Sequence, residues 1–454
     1  MKKANTILIL LMMSFSSMAF SYTNSSAQET ADKNTQDTLE QYVGEYILKE
    51  TGMIVEIYTK TNDTKLFLFV DGQPEYELIS TGKHKFSFKI SDEYKIEFKN
   101  PENGVFKELV ATQPDGTYTA IRNGEVKIDD LTTIDKKLIE REFSGVILVA
   151  QSDSIIFSKA YGKKSNQEVN DLNTVFDICS ITKQFTAAGI MTLSMQNKVA
   201  VTDKISKYFE GVPEDKKNIT IHQLLTHSSG LKDGIGDDYD AITEEKFLKK
   251  VFRSKLLSPV GEKFNYSNMG YSLLGLIIEK VSGMDYEAYL SEIIFKPLKM
   301  NHTGYIIPDW EHNEVANGFL DGKEAKKPNE ENWSDNGPYL HLKGNGGILT
   351  KASDLLLWSK AIMNNSVLDE ATTAKYLYPH FEWNDMYTHY GYGWGIENDN
   401  SENKLVLHGG ASDLFASDLW IYPKKGITII VLSNTQEEYV YSIARKISKF
   451  LLAK

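Results

Sequence analysis

Ser180, Lys183, Tyr266, Asn268 and His408 are residues whose types and spacing can do chemistry together. Ser180 and Lys183 stand in Ser180-Ile181-Thr182-Lys183, so on a helix both side chains share one face. A serine hydroxyl is a poor nucleophile until a base takes its proton. A lysine at its usual pKa of ~10.4 is too protonated to be that base. Burial and the positive end of a helix both lower that value. Tyr266-Ser267-Asn268 adds a phenol, able to relay a proton if neighbouring cations lower its pKa. The Asn268 amide can hold a substrate carbonyl and the lysine together. His408-Gly409-Gly410, followed by Ala411, comes after a strand-like Leu405 to Leu407, and its glycines let a backbone approach a ligand closely.

Each motif alone is weak. Ser-x-x-Lys recurs at Ser80 to Lys83 and Ser229 to Lys232, Tyr-x-Asn at Tyr22 to Asn24, and His-x-Gly at His302 to Gly304 and His389 to Gly391. Order discriminates: a Ser-x-x-Lys that opens a helix, then Tyr-x-Asn, then His-x-Gly just before the last strands. His227, in Leu224-Leu225-Thr226-His227-Ser228-Ser229-Gly230, reads as a structural loop residue, because serine, lysine and tyrosine already supply proton transfer. Cys179 reads as a small buried side chain, since a cysteine nucleophile lacks a positioned base. No His or Asp cluster has metal-ligand spacing, so neither metal nor cofactor is expected.

The elements that must position these residues change character near residue 130. Between Tyr42 and Asn123 the pattern has period two: Phe86, Phe88 and Ile90 alternate with Lys85, Ser87 and Lys89. Turn signals such as Asp71-Gly72, Asn103-Gly104 and Asp115-Gly116 recur at short intervals. Residues 38–126 are expected to form a small antiparallel barrel or sandwich of about eight strands. His84 reads as a solvated loop residue beside a turn. Beyond Asp130, strands are expected over Val146 to Ala150, Ile155 to Ala160, Leu419 to Tyr422 and Ile427 to Leu432, and a helix in the tail from Glu437 to Leu452. A strand-like run, Thr174 to Ile178, leads into Ser180, and a helix is expected to follow. The fold class is α/β (α+β): one antiparallel sheet from both chain ends, flanked by helices, with a helical subdomain inserted. A cleft between subdomains suits an active site.

With its motifs in this order, the stretch 131–454 resembles the serine β-lactamase and penicillin-binding protein family, especially its class C and DD-peptidase branch. Phe143-Ser144-Gly145-Val146, Gly346-Gly347-Ile348-Leu349-Thr350 and Tyr390-Gly391-Tyr392-Gly393-Trp394-Gly395 fit the same resemblance. It implies that Ser180 is acylated, Lys183 is its base partner, Tyr266 relays protons and Asn268 positions the substrate amide. It implies an oxyanion hole from the backbone N–H groups of Ser180 and Ala411. His408 stands where many relatives carry a lysine that helps hold a substrate carboxylate; a neutral imidazole does so less well. Efficient β-lactamase activity is therefore not expected, and a D-aminopeptidase-like, esterase-like or peptidase activity fits better. The N-terminal stretch resembles the lipocalin-like β domain often appended to secreted serine hydrolases, although there it usually follows the hydrolase.

The expected activity is that of a serine hydrolase forming an acyl-enzyme on a peptide, amide or ester. The alternative is a protein that is acylated or holds a peptide without turnover. The partner that this activity implies is a small molecule or peptide. Lys+Arg is 50 and Asp+Glu 62, a net charge of −12, which argues against nucleic acid. Lys2 and Lys3 precede an apolar run from Ile7 to Phe20 and then small residues, so residues 1–27 read as a secretory signal and leader. That run is shorter than the ~20 residues a membrane span needs, so no transmembrane anchor and a periplasmic or secreted protein are expected. The single cysteine excludes an intramolecular disulfide.

Overall fold

The computed structural model describes residues 39–453, apart from 50–52, 60–64, 71–75, 125–130, 141, 153, 309, 311–313, 384–387, 398–400 and 436–439. The expected signal and leader lie outside the described residues. Among those residues no helix is long and apolar enough to cross a membrane. The chain divides into two compact units, Met1–Lys127 and Ile128–Lys454.

The first unit is a closed barrel of eight antiparallel strands: Gly44–Leu48, Ile54–Tyr58, Leu66–Val70, Tyr76–Gly82, Lys85–Phe88, Ser91–Glu102, Val105–Gln113 and Gly116–Gly124. Each strand pairs with the next, and the last returns to the first with Ile47 opposite Ile121. Closure leaves no free sheet edge. The period-two pattern explains the interior: Phe86, Ile96 and Phe98 are buried while Lys85, Lys95 and Lys99 are exposed. Aromatic rings fill the barrel, with Tyr42 stacked on Phe106 at 5.2 Å between centroids. Two details differ from the sequence reading. Ile90 is 60% exposed, because the strand ends at Phe88 and the chain turns there. His84 is not a solvated loop residue: it is half-buried, its Nδ1 meets the Tyr42 hydroxyl at 2.8 Å, and its ring lies 4.6 Å from Phe106.

The second unit is built on an eight-stranded antiparallel sheet. From one edge the strands are Ser154–Tyr161, Gly145–Gln151, Ile427–Ser433, Ala416–Tyr422, Leu405–Ala411, Gly395–Glu397, His389–Tyr390 and Phe381–Glu382. The first and last parts of this unit meet in the second and third strands from that edge, where Leu148 lies opposite Ile430 and Val149 opposite Ile429. Neighbouring residues point to opposite faces. Leu148, Leu419 and Ile430 join the core beneath the inserted helices, with Phe185 and Trp358. Val149, Trp420 and Val431 pack on the other face with Ile134 and Ile447. Those two come from the helices Leu131–Glu140 and Val440–Leu452. Burying such a side chain contributes about 1.5–3 kcal/mol, so each layer is held largely by its apolar face.

The insertion carries the helices Thr182–Met195, Glu244–Arg253, Asn268–Ser282 and Ala352–Met363. Thr182–Met195 and Asn268–Ser282 are buried on nearly every side and cross closely at Gly189. A Cβ on Gly189 would lie 3.0 Å from Ile278 Cδ1 and 3.1 Å from Leu290 Cδ2, so a larger side chain would force these elements apart. The strand expected over Thr174 to Ile178 is only Phe176–Asp177, paired with Leu349–Thr350.

Candidate active site

Ser180 sits in a single 3-10 turn, Cys179–Ile181, between the strand Phe176–Asp177 and the helix Thr182–Met195. The turn is held locally. Cys179 takes a left-handed conformation with φ of 48°, and its N–H donates to Asp177 Oδ1 at 2.7 Å. Such a conformation costs a non-glycine residue about 1–3 kcal/mol and persists only where its surroundings fix it. Cys179 and Ile181 turn inward and are buried, leaving Ser180 part-exposed between them. Burial pushes the Asp177 carboxyl up to about 7, against the Cys179 N–H that favours its charged form.

One turn further on, Lys183 is fully buried. Its Nζ donates to Ser180 Oγ at 3.0 Å and to the Asn345 main-chain carbonyl at 2.7 Å. The same ammonium lies 4.8 Å from the centre of the Tyr266 ring and 5.7 Å from that of Tyr271. Desolvation lowers Lys183 to about 7, while the charges of Asp233 and Asp238 pull the other way. Near neutral pH a large share of this amine is therefore unprotonated and can accept the serine proton.

Tyr266 and Asn268 flank a helix start. Ser267 caps the helix Asn268–Ser282, its hydroxyl accepting from the Gly270 N–H at 3.1 Å. The Ser267 hydroxyl in turn donates to the Lys232 carbonyl at 2.8 Å, tying the cap to the preceding loop. The expectation that cations lower the Tyr266 pKa is reversed. Burial dominates and pushes the phenol up, with the Ser180 hydroxyl as the opposing hydrogen-bond neighbour. The ring is thus a neutral hydroxyl at ordinary pH. Asn268 also differs from the sequence reading. The Lys183 ammonium is held by the Asn345 carbonyl, and Asn268 Oδ1 is buried with no hydrogen-bond partner among the described residues.

The third motif closes the site from the sheet. Leu405–Ala411 carries His408, Gly409, Gly410 and Ala411 past the serine turn. Gly410 is required by the close approach: a Cβ there would lie 2.4 Å from the Ile178 carbonyl oxygen and 2.9 Å from Cys179 Cβ. Ser417 Oγ donates to the same Ile178 carbonyl at 2.8 Å and pins the neighbouring strand to this turn. Ala411, the next residue of the strand, pairs with Ala416 and is exposed. His408 itself is buried and turned inward. Its Nε2 meets the Tyr390 hydroxyl at 2.9 Å and its Nδ1 the Gly409 carbonyl at 2.5 Å. Burial holds His408 down to about 3, with the Lys183 charge adding to the effect. It therefore offers no cation to a substrate carboxylate.

The structure thus brings Ser180, Lys183 and Tyr266 together, with Gly410 packed against the serine turn and Asn268 starting the helix that follows Tyr266. Three contributors escape the sequence reading, and a fourth, His227, reads there only as structural. Asn345 acts through its main-chain carbonyl, for which a sequence carries no signal beyond the Gly344, Gly346 and Gly347 around it. Tyr271 and Tyr390 lie in segments rich in aromatic residues, where any one ring could be plain core. His227 is buried, as a structural histidine should be, yet its ring lies 4.2 Å from that of Tyr266. Of the duplicate motifs, Ser80 lies in a strand of the barrel unit, and the Ser229 hydroxyl accepts from the Leu231 N–H.

The sequence model of the Beta-lactamase family matches residues 131–454. A penicillin-binding protein of Bacillus subtilis (strain 168) is 28% identical over 333 residues, covering 69% of this chain and 73% of that protein. A protein named flp from Staphylococcus aureus (strain MW2) is 30% identical over 334 residues, 68% of this chain but 63% of its own length. The chain thus spans under two thirds of that second relative. Among solved structures, an octameric penicillin-binding protein homologue from Pyrococcus abyssi superposes with a TM-score of 0.61 at 28% identity, over 71% of this chain and 77% of that one.

Proposed function

The chain belongs to the beta-lactamase family of serine hydrolases and penicillin-binding proteins, and on that premise we propose that it cleaves a peptide, amide or ester through an acyl-enzyme on Ser180. The carrying observation is the 3.0 Å contact between the Ser180 hydroxyl and a buried, readily deprotonated Lys183 amine. Neutral Lys183 takes the Ser180 proton as Oγ attacks the substrate carbonyl carbon. The carbonyl oxygen gathers charge, which the N–H groups of Ser180 and Ala411 stabilise. Tyr266, a neutral phenol beside both groups, passes a proton to the leaving group and regains one from Lys183. Collapse of the intermediate breaks the bond to the leaving group and leaves the Ser180 ester. Water then attacks that ester by the reverse proton route. Asn268 Oδ1, buried and without a hydrogen-bond partner among the described residues, accepts a substrate N–H.

With His408 neutral and turned inward, the site favours substrates that need no fixed carboxylate. Short esters and amides should outpace penicillins and cephalosporins. We also propose that the protein is exported, on the pattern of Lys2, Lys3 and the apolar run after them. The test is purified protein with nitrophenyl esters, D-amino-acid amides and a chromogenic cephalosporin, followed by intact-mass detection of an adduct. Multiple turnovers abolished by Ser180→Ala support the hydrolase. A single stoichiometric adduct without turnover would favour a binding or sensing role, and unchanged hydrolysis in Ser180→Ala would remove the proposal.

A further inference from the structure

Behind Tyr266, four hydrogen bonds run in series through two histidines and a tyrosine. The Ser267 backbone N–H donates to His227 Nδ1 at 3.0 Å. A backbone N–H can only donate, so Nδ1 is bare and the His227 proton sits on Nε2. That Nε2–H faces the Tyr390 hydroxyl oxygen at 3.3 Å. The Tyr390 hydroxyl can in turn donate its own proton to His408 Nε2, 2.9 Å away. At the far end, His408 Nδ1 meets the Gly409 carbonyl, which can only accept, so the His408 proton sits on Nδ1. The two ends fix the tautomers of both histidines, and those tautomers agree with a Tyr390 hydroxyl that accepts from His227 and donates to His408. His227, His408 and Tyr390 are all buried, so no water competes for these groups. The chain joins the loop that carries Tyr266 and Asn268 to the strand that carries Gly410 and Ala411. The His227 ring also lies 30° from the plane of the Tyr266 ring and backs it across 4.2 Å.

We propose that His227 is a positioning residue, which holds the Tyr266 phenol beside Lys183 and, through Tyr390, locks His408 as an inward-facing neutral acceptor. The inference rests on the hydrolase reading of this site. It adds that the tyrosine loop and the glycine strand are set in register by a polar chain that touches no substrate. It also gives a reason why His408 cannot stand in for a carboxylate-binding cation: its one available nitrogen is already bonded to Tyr390.

The experiment uses the full chain labelled with 15N histidine. Signals are assigned by His227→Asn and His408→Asn variants, and tautomers are read by long-range 1H–15N correlation at pH 7.5. The expected result is opposite tautomers, the proton on Nε2 in His227 and on Nδ1 in His408. Tyr390→Phe keeps the ring and removes only the hydroxyl. In that variant the bare Nε2 of His408 should move downfield, as a lone pair does when it loses its donor. A misplacement of this kind costs about a hundredfold, so kcat of Tyr390→Phe should fall by about that factor with KM nearly unchanged. The same tautomer in both histidines, or an unmoved His408 signal in Tyr390→Phe, would overturn the proposal. So would a variant that melts earlier yet keeps its kcat, since a purely structural bond would behave that way. Hydrolysis surviving Ser180→Ala would defeat the hydrolase reading instead, and the tautomers would still judge the hydrogen-bonded chain.

Discussion

At the scale of single residues, burial decides the chemistry more than charge does. Lys183 has no close carboxylate among its hydrogen-bond partners, so desolvation wins and its amine is poised at about 7. If the neutral amine is the active form, kcat/KM should be lost as pH falls through about 7 and level off above it. His227 and His408 are already neutral in that range and should add no limb. A pH–rate profile checks this; a midpoint near the ordinary lysine value would contradict it. The stability sign follows from the same group. Between about 7 and its ordinary 10.5 the unfolded chain binds more protons at Lys183 than the folded one, so its contribution to stability rises with pH across that window. Tyr266→Phe keeps the ring over Lys183 and loses the proton relay. Its rate should drop by about 10²–10⁴, measured as the rate of acyl-adduct formation by mass, with little change in melting temperature.

At the scale of elements, the site depends on close approach between a strand and a turn. A Cβ on Gly410 would run into the Ile178 carbonyl, the Ser417 hydroxyl and Cys179, so Gly410→Ala must push the strand away from the serine turn. Overpacking of this kind costs about 1–3 kcal/mol, and the displaced Ala411 N–H should cost activity well beyond what that loss of stability explains. Comparing adduct formation with a denaturant midpoint separates the two effects. Gly393 has a similar role at the helix, where a Cβ would lie 2.8 Å from the Lys183 carbonyl. The Ser267 cap is a third such element. Ser267→Ala removes a bond worth about 1 kcal/mol at the very residue between Tyr266 and Asn268, so kcat should respond more than the melting temperature.

At the scale of the molecule, each unit has its own apolar core. The barrel core includes Tyr46, Leu68, Phe98 and Leu109. Two cores in one chain predict two unfolding steps rather than one. Leu109 is fully buried in the barrel, and Leu109→Ala should destabilise that unit by about 2–5 kcal/mol. Calorimetry should show one transition moving down and the other staying, with esterase or amidase activity unchanged below the first. A single transition that shifts as a whole would show the units to be coupled.

Read by itself, the sequence determined the local patterns: strand alternation from Tyr42 to Asn123, the strands near residues 146 and 430, and the order of three motifs that picked Ser180, Lys183, Tyr266 and His408 from their duplicates. These signals are legible because period-two burial, helix starts and glycine approaches are written in neighbouring residues. Folding alone decided what surrounds them. Desolvation of Lys183, the use of the Asn345 carbonyl, the inward turn of His408 and the meeting of His227 with Tyr390 join residues up to 163 positions apart. Side-chain type tells which groups can donate or accept; only packing fixes which of them face each other and how little water lies between, and that sets both proton positions and charge.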